Sequence, residues 1–187
     1  MENWYFIIGF IVCIAIVIIA IYNSLVGKRN DVKNIYASVD VQLKQRYDLI
    51  PNLLSTVQVY FNHEKDVLEG IVKLREGAIN SSSDKDKFNL NNDLTKALHG
   101  LNLRIESYPD LKSSENLLKL QNALKDCEEE ISAARRAYNS AVTIYNNACE
   151  MFPSNVVAKW FGFVKFEVFE ASAHERENPD IKNLFNK

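Results

Sequence analysis

The amino-acid sequence predicts an all-α protein, with an N-terminal transmembrane helix followed by a bundle of long helices. Residues 4–22 contain no charged side chain. Behind them, apolar side chains recur at every third or fourth position over long stretches, which is the period of an α-helix. With 6 glycines and 4 prolines among 187 residues, the chain is poor in turn-forming residues. This composition favours few, long elements.

The segment at residues 4–22 reads WYFIIGFIVCIAIVIIAIY. About 20 apolar residues are enough to cross the hydrocarbon core of a bilayer. Trp4, Tyr5 and Tyr22 are of the aromatic types that prefer the two membrane interfaces. A cleaved signal peptide is the alternative, but no basic residue precedes the run and no small-x-small cleavage site follows it. We therefore predict a transmembrane helix at residues 4–22, preceded by a short N-terminus at residues 1–3.

Charge placement predicts the orientation of this anchor. Lys28, Arg29 and Lys33 lie just beyond its C-terminal end, whereas Glu2 precedes it. Basic residues next to a span favour the cytoplasmic side. The sequence therefore predicts a single-pass cell-membrane protein with its N-terminus outside and its body, residues 23–171, in the cytoplasm.

Composition argues against several function classes. The 22 basic residues are balanced by 24 acidic residues, which gives no case for nucleic-acid binding, since that needs a basic face or stripe. The three cysteines, Cys13, Cys127 and Cys149, form no CxxC motif and no Cys/His cluster, which disfavours a disulfide framework and a metal site. His63-Glu64 lacks the second histidine of a zinc-protease HExxH motif, and His99 and His174 have no spacing partner. We predict no metal and no cofactor.

The body begins with a long amphipathic pattern. Asn30 or Asp31 suits its N-cap, and one helical face of apolar residues runs from Val32 to Leu74. Pro51 interrupts this face without changing its phase, so we predict one kinked helix and not two. The polar run at residues 80–87 predicts the main loop.

A second and a third helix follow this loop. The second carries leucines at helical spacing from Leu90 and ends at Tyr108-Pro109, because the residue before proline leaves the helical region. The third is capped by Ser113 or Ser114 and ends at residues 151–153. Its stripe of Leu, Ala and Tyr from Leu117 to Ala148 is close to a heptad repeat, which predicts a bundle seam and a surface for self-association.

Residues 154–171 are crowded with aromatic side chains and leave two interpretations open. The segment either packs on the bundle or lies on the bilayer surface as an interfacial helix. The second interpretation predicts membrane-surface contacts at Trp160, Phe161, Phe163 and Phe166. The polar tail at residues 172–187 is predicted to be loose.

Several stretches, in fixed order over almost the whole chain, resemble the LemA family of bacterial membrane proteins. They are YNSLVGKRN at 22–30, VDVQLKQRYDLIPNL at 39–53, YPDLK at 108–112, RRAYN at 135–139, FPSN at 152–155 and FGF at 161–163. The resemblance implies a short extracytoplasmic N-terminus, one span and a cytoplasmic bundle of long antiparallel helices. It implies no catalytic residues. The family's relatives among magnetosome membrane proteins imply a structural or interaction role.

One polar constellation lies beside predicted core positions. Two interpretations remain open: a buried network that fixes the register of the first and third helices, or a recognition patch for a carboxylate or phosphate, since arginine presents a planar fork of donors. The residues are Arg46, Asp48, Asn52, Arg135, Arg136 and Asn139.

These patterns predict a non-enzymatic, membrane-anchored scaffold or adaptor. No nucleophile with an adjacent base, no pair of catalytic carboxylates and no glycine-rich phosphate loop is apparent. Its expected partners are the lipid bilayer, other membrane or cytoplasmic proteins and a second copy of the chain, but not nucleic acid. The alternative is a membrane-surface or membrane-remodelling module that uses the aromatic C-terminal segment.

Overall fold

The computed structural model describes residues 2–61 and 64–169, with side chains from Trp4 onward. Over these ranges the chain forms α-helices and no β-strand, which confirms the predicted all-α class. The helices are α1 (Glu2–Gln58), α2 (Lys65–Asn80), α3 (Asp84–Ile105), α4 (Pro109–Lys112), α5 (Glu115–Glu150) and α6 (Ser154–Trp160). They group into two compact units. The anchor unit contains residues 2–46 and 125–168, and the second unit contains residues 47–124 and Phe169.

Helix α1 carries the apolar segment and continues as one helix to Gln58. Pro51 lies inside it, so the prediction of a single helix through this proline is confirmed. In the anchor unit, its buried positions recur every seven residues at Leu25, Val32 and Val39. A seven-residue repeat is the spacing of a coiled-coil seam, because it keeps one stripe facing the partner helix.

The partner of this stripe is α5. Two contacts show that the helices are antiparallel: the Cys127 thiol lies 3.4 Å from the Gln42 carbonyl oxygen, and the rings of Tyr36 and Tyr138 are 5.8 Å apart. The buried residues that α5 contributes to the seam are Cys127, Ile131, Tyr138, Val142, Tyr145 and Cys149. In the anchor unit the predicted stripe is therefore buried within the chain, and self-association through it stays a prediction.

In the second unit, α2 and α3 form a helical hairpin. Ile71 and Ala78 of α2 and Leu94 and Leu101 of α3 are fully buried. The connection is shorter than the predicted loop at residues 80–87, because α3 already begins at Asp84. The Ser83 hydroxyl caps it by accepting from the Asp86 amide at 3.4 Å, and acidic residues in the first turn suit the helix dipole.

The predicted continuation of the first body helix to Leu74 is wrong. Helix α1 ends at Gln58, and α2 begins at Lys65. Phe61 is buried with its ring 4.9 Å from that of Tyr108, and the Tyr108 hydroxyl donates to the Glu64 carboxylate at 2.7 Å. These contacts join residues that lie far apart in the sequence, so periodicity alone does not reveal the break.

The other helix ends follow the local sequence. Helix α3 ends at Ile105, before Tyr108-Pro109, and the unpredicted single turn of α4 follows. The predicted cap at Ser114 is confirmed, since its hydroxyl accepts from the Leu117 amide at 3.5 Å. Helix α5 ends at Glu150, directly before residues 151–153, as the sequence predicted.

After α6 the chain turns at Gly162, where φ is 69°, a conformation that favours glycine. Residues 161–168, which we call the strap, then run back along α5 without helical structure. Three side chains of α5 bind the strap backbone. The Tyr145 hydroxyl donates to the Val164 carbonyl at 2.9 Å and the Tyr138 hydroxyl to the Glu167 carbonyl at 3.2 Å. Asn146 binds Phe166 twice, donating to its carbonyl at 2.8 Å and accepting from its amide at 3.1 Å.

We expect Asn146→Ala to release the strap. The substitution removes both hydrogen bonds to Phe166, and each is worth about 1 kcal/mol. Limited trypsin digestion of the full chain in detergent should then cut faster after Lys165, which lies in the strap. Asn147→Ala is the matched control, because Asn147 is exposed on the same helix. Equal cleavage rates in the two variants would contradict this account.

Candidate functional site

The N-terminal part of α1 presents apolar side chains to its surroundings. Trp4, Tyr5 and Phe10 are 67%, 74% and 68% exposed. Within the described residues, Trp4–Gln58 is the one helix long and apolar enough to cross a membrane, and none of its most apolar window is buried. In a core helix of a soluble protein, this apolar surface would be buried by other parts of the protein. A large apolar surface that stays exposed marks an interaction site. The helix therefore suggests membrane association.

Helix α6 lies beside this apolar part of α1, and the two enclose a groove of about 300 Å³. All of its lining side chains are apolar or weakly polar. From α1 and α6, together with the turn before α6, they are Cys13, Ile14, Val17, Ile18, Ile21, Phe152, Pro153, Val156, Val157 and Trp160. We call this the span–α6 groove. Because α6 and residues of the predicted span line the same groove, α6 lies at the level of those residues along the α1 axis.

The outer surface next to the groove is also apolar. Phe152 is 82% exposed and Trp160 is 73% exposed, although rings of this size are usually buried in water. They extend the apolar surface of the predicted span onto α6. Two elements therefore form one continuous apolar surface, where the sequence predicted a span and a separate aromatic segment.

The four predicted membrane-surface residues divide into two groups. Trp160 and Phe161 are exposed, whereas Phe163 and Phe166 are half-buried. The Phe163 ring lies 5.7 Å from Tyr22, and the Phe166 ring lies 5.3 Å from Tyr145. Packing on the protein therefore describes Phe163 and Phe166, and bilayer contact by the exposed Trp160 and Phe161 stays a prediction.

A second cavity of about 430 Å³ adjoins the groove and shares Ile21 and Phe152 with it. Its lining includes the polar side chains of Ser24, Lys28 and Ser154. The Lys28 ammonium donates to the Ser24 hydroxyl at 2.9 Å. We call this the Lys28 cavity. It places a cation and two hydroxyl groups at one end of an otherwise apolar channel.

Of the predicted polar constellation, Arg46 is the fully buried member. Its guanidinium lies 2.7 Å from the carboxylate of Glu128 on α5. Glu128 was not predicted, because no signal in the sequence indicates which turn of α5 faces Arg46. Asp48 and Asn52 are exposed, two and six positions further along α1.

The α5 members of the constellation lie in different environments. Arg135 and Asn139 are half-buried, whereas Arg136 is exposed. The Arg136 guanidinium donates to the Ser132 hydroxyl of its own helix at 2.8 Å. A second buried polar pair, absent from the sequence prediction, lies in the second unit. There the Tyr47 hydroxyl is 2.7 Å from the Asn91 amide nitrogen, which also donates to the Lys87 carbonyl at 2.8 Å.

The titratable groups with shifted pKa values are not activated as nucleophiles. Burial raises the pKa of the Cys127 thiol, which keeps it protonated and unreactive. Burial likewise raises the pKa of Tyr145 to about 12, so its hydroxyl remains a donor to the strap at neutral pH. The hydrogen bond to Glu64 is the main reason for the raised pKa of Tyr108.

The described residues contain no group of three or more His, Cys, Asp or Glu side chains arranged to hold a metal ion. His99 is exposed on α3. His63 and His174 lie outside the described residues. The side chains brought together by the fold thus form an apolar groove with a cationic end and a buried ion pair.

The sequence is similar to proteins of one family. The profile described as the LemA family matches residues 35–183. Over 189 residues the chain is 29% identical to Protein LemA of Metamycoplasma hominis, covering 99% of this chain and 86% of that relative. It is 23% identical over 175 residues to Magnetosome protein MamQ 2 of Paramagnetospirillum magneticum, covering 80% of this chain. It is 22% identical over 185 residues to Magnetosome protein MamQ of Magnetospirillum gryphiswaldense, covering 85% of this chain.

The match to the MamQ proteins is partial, since the chain spans 64% and 66% of their respective lengths. The names of these relatives are not those of enzymes, and together with the apolar helix they suggest a membrane-associated protein. The family profile covers most of the sequence, including all of α2 to α6. The chain therefore belongs to the LemA family.

Proposed function

We propose that this protein is a non-enzymatic, single-pass membrane protein whose helical body serves as a scaffold or adaptor for other proteins at the membrane. The continuity of α1 carries this proposal. The helix runs from Glu2 to Gln58 without a linker between the apolar segment and the seam with α5. Because an α-helix is stiff, the part of the body packed on it keeps a fixed position relative to the bilayer.

The surface chemistry supports a binding role over a catalytic one. On α5 the apolar stripe faces α1, whereas charged side chains such as Lys125, Glu129 and Arg136 are exposed. The cavity at the α2–α3 connection, about 490 Å³, is lined mainly by amide, hydroxyl and carboxylate side chains and lies open at the surface. A non-obligate interface is about as polar as the rest of a protein surface, so the exposed polar face of α5 in the anchor unit is suited to docking proteins.

The basic residues Lys28, Arg29 and Lys33 support a cytoplasmic body. A peroxidase fused to the C-terminus of the full chain labels nearby proteins in native cells, and so tests the membrane orientation and the identity of neighbouring proteins together. We expect labelling of cytoplasmic proteins, with a reproducible set enriched over a control in which the same enzyme is fused to an unrelated single-pass protein. Labelling of extracytoplasmic proteins would contradict the orientation, and a set identical to the control would contradict the adaptor role.

A second candidate function is a membrane-remodelling module. The exposed side chains of Phe152 and Trp160 beside the predicted span favour it, because bulky side chains in one leaflet displace lipid there. The MamQ relatives are named as magnetosome proteins, which supports a membrane-associated structural role. We expect vesicles reconstituted with the full chain to be smaller than those with a Phe152→Ser/Trp160→Ser variant. Equal diameters by cryo-electron microscopy would contradict this function.

A further inference from the structure

We infer that the span–α6 groove and the Lys28 cavity together form a binding site for one phospholipid, with an acyl chain in the groove and the phosphate beside Lys28. This inference rests on the proposed single-pass membrane location. It goes beyond general contact with the bilayer, because it assigns a stoichiometric ligand to a defined site. The site is built entirely within the anchor unit.

The apolar end of the site matches an acyl chain. The groove has a volume of about 300 Å³ and only apolar or weakly polar lining side chains. One wall, including Cys13 and Val17, belongs to the predicted span, so the groove opens where hydrocarbon would surround the protein. An open apolar groove at that level is filled by hydrocarbon chains, because water would find no hydrogen-bond partners there. Continuity with the span thus identifies lipid as the occupant.

The polar end matches a phosphate. Lys28 supplies a positive charge and Ser24 a hydroxyl group at the same cavity, whereas the Ser154 hydroxyl donates to the Met151 carbonyl at 2.9 Å. Lys28 lies six residues past Tyr22, roughly 9 Å along the helix at 1.5 Å per residue. The headgroup layer on each side of the hydrocarbon core is about 5–7 Å thick. The ammonium group of a flexible lysine therefore reaches the phosphate level when Tyr22 lies at the interface.

The length of the site also agrees with one lipid. From Cys13 to Lys28 the α1 axis rises roughly 22 Å. One leaflet, with its headgroups, is about 20–22 Å thick. The two cavities share the lining residues Ile21 and Phe152, so they are neighbours along α1, and one lipid molecule across both would pass these two side chains. Phe152 lies at the junction between the chain-binding and phosphate-binding parts.

The test uses Trp160, which lines the groove, as a reporter. The chain has two tryptophans, so a Trp4→Phe background leaves Trp160 alone. Phosphatidylglycerol brominated in its acyl chains is titrated into the full chain in a non-ionic detergent. We expect saturable quenching of Trp160 fluorescence that reaches its limit at one lipid per protein. Quenching that rises linearly with lipid, without saturation, would overturn the inference.

Two pairs of variants locate the site. Val17→Phe fills the groove and should abolish saturable quenching, whereas Ile16→Phe, at an exposed position outside the groove, should leave it unchanged. Lys28→Gln should raise the half-saturating lipid concentration about fivefold, the effect of one basic residue near an anionic surface. Lys33 is exposed nearby on the same helix, and Lys33→Gln should change the half-saturating lipid concentration less than twofold. Equal effects within either pair would overturn the site.

A second copy of the chain is the competing occupant. In that case Trp160 is not quenched, and sedimentation in the same detergent shows a dimer that Val17→Phe dissociates; this outcome also overturns the lipid site. Extraction of cell membranes with alkaline carbonate tests the membrane anchor separately from the lipid site. A chain that stays in the membrane but shows no saturable quenching refutes the lipid site alone, whereas a chain released by carbonate refutes the membrane anchor.

Discussion

Replacing Glu128 by leucine is expected to lower the free energy of unfolding by about 2 kcal/mol, the scale of a hydrogen bond to a charged group. The Arg46 guanidinium is fully buried, and the substitution removes the carboxylate that lies 2.7 Å from it. Removing one partner of a buried ion pair costs more than the pair contributes, because the other charge remains out of water. Glu128 itself is partly exposed, which reduces the expected loss. Urea unfolding of the detergent-solubilised chain, followed by circular dichroism, measures it.

Two variants make this prediction specific. Glu129→Leu changes the adjacent residue, which forms an exposed pair with Lys125 at 4.0 Å, and should cost less than about 0.5 kcal/mol. The double variant Arg46→Met/Glu128→Leu removes both charges and should recover most of the loss, because apolar side chains of similar size suit a buried site. A double variant no more stable than Glu128→Leu alone would show that the ion pair is not the cause.

Replacing Ile131 by alanine is expected to cost about 3 kcal/mol, the largest effect of the substitutions proposed for this chain. Ile131 is fully buried in the seam between α1 and α5. Truncating a buried isoleucine loses its transfer free energy and leaves a cavity, which together cost about 2–5 kcal/mol. The same urea unfolding experiment measures the loss. The seam holds α1 and α5 together in the anchor unit, so its loss should also loosen the strap.

Ile144 provides the matched control, because it lies on the same helix and is 54% exposed. Ile144→Ala should change the free energy of unfolding by less than about 0.5 kcal/mol, as is usual at surface positions. Trypsin cleavage after Lys165 should accelerate in Ile131→Ala and not in Ile144→Ala. Similar losses of stability in both variants would contradict the assignment of the seam to the stripe that contains Ile131.

Together these variants test, one by one, the structural features on which the proposed functions depend. Glu128 and Ile131 test the seam that joins the body to the membrane helix, and Asn146 tests the strap. Val17 and Lys28 test the proposed lipid site. If the adaptor proposal holds, variants of the seam should lose binding partners in proximity labelling, because the docking surface is no longer fixed to the span. Variants of the lipid site should remain folded and change lipid binding.

Part of the site was visible in the sequence. Arg46 was predicted to lie beside the core positions Tyr47 and Ile50, either in a network that fixes helix register or in a recognition patch. Its partner Glu128 was not identified, because neither the sequence around Arg46 nor that of α5 indicates which turn of α5 faces Arg46. Trp160 was predicted as a membrane-surface contact, but its place in one groove with Cys13 and Val17 was not predicted.

The sequence by itself determined the apolar helix, the all-α class, the passage of α1 through Pro51 and a serine cap at position 113 or 114. Each of these depends on residues within a few positions of one another, where helical period and local hydrogen bonding act directly. Only the tertiary structure decided that α1 ends at Gln58, that Arg46 meets Glu128 and that α6 lies along the span. Those features depend on contacts between residues far apart in the chain, whose free energies exceed the local preferences of either segment.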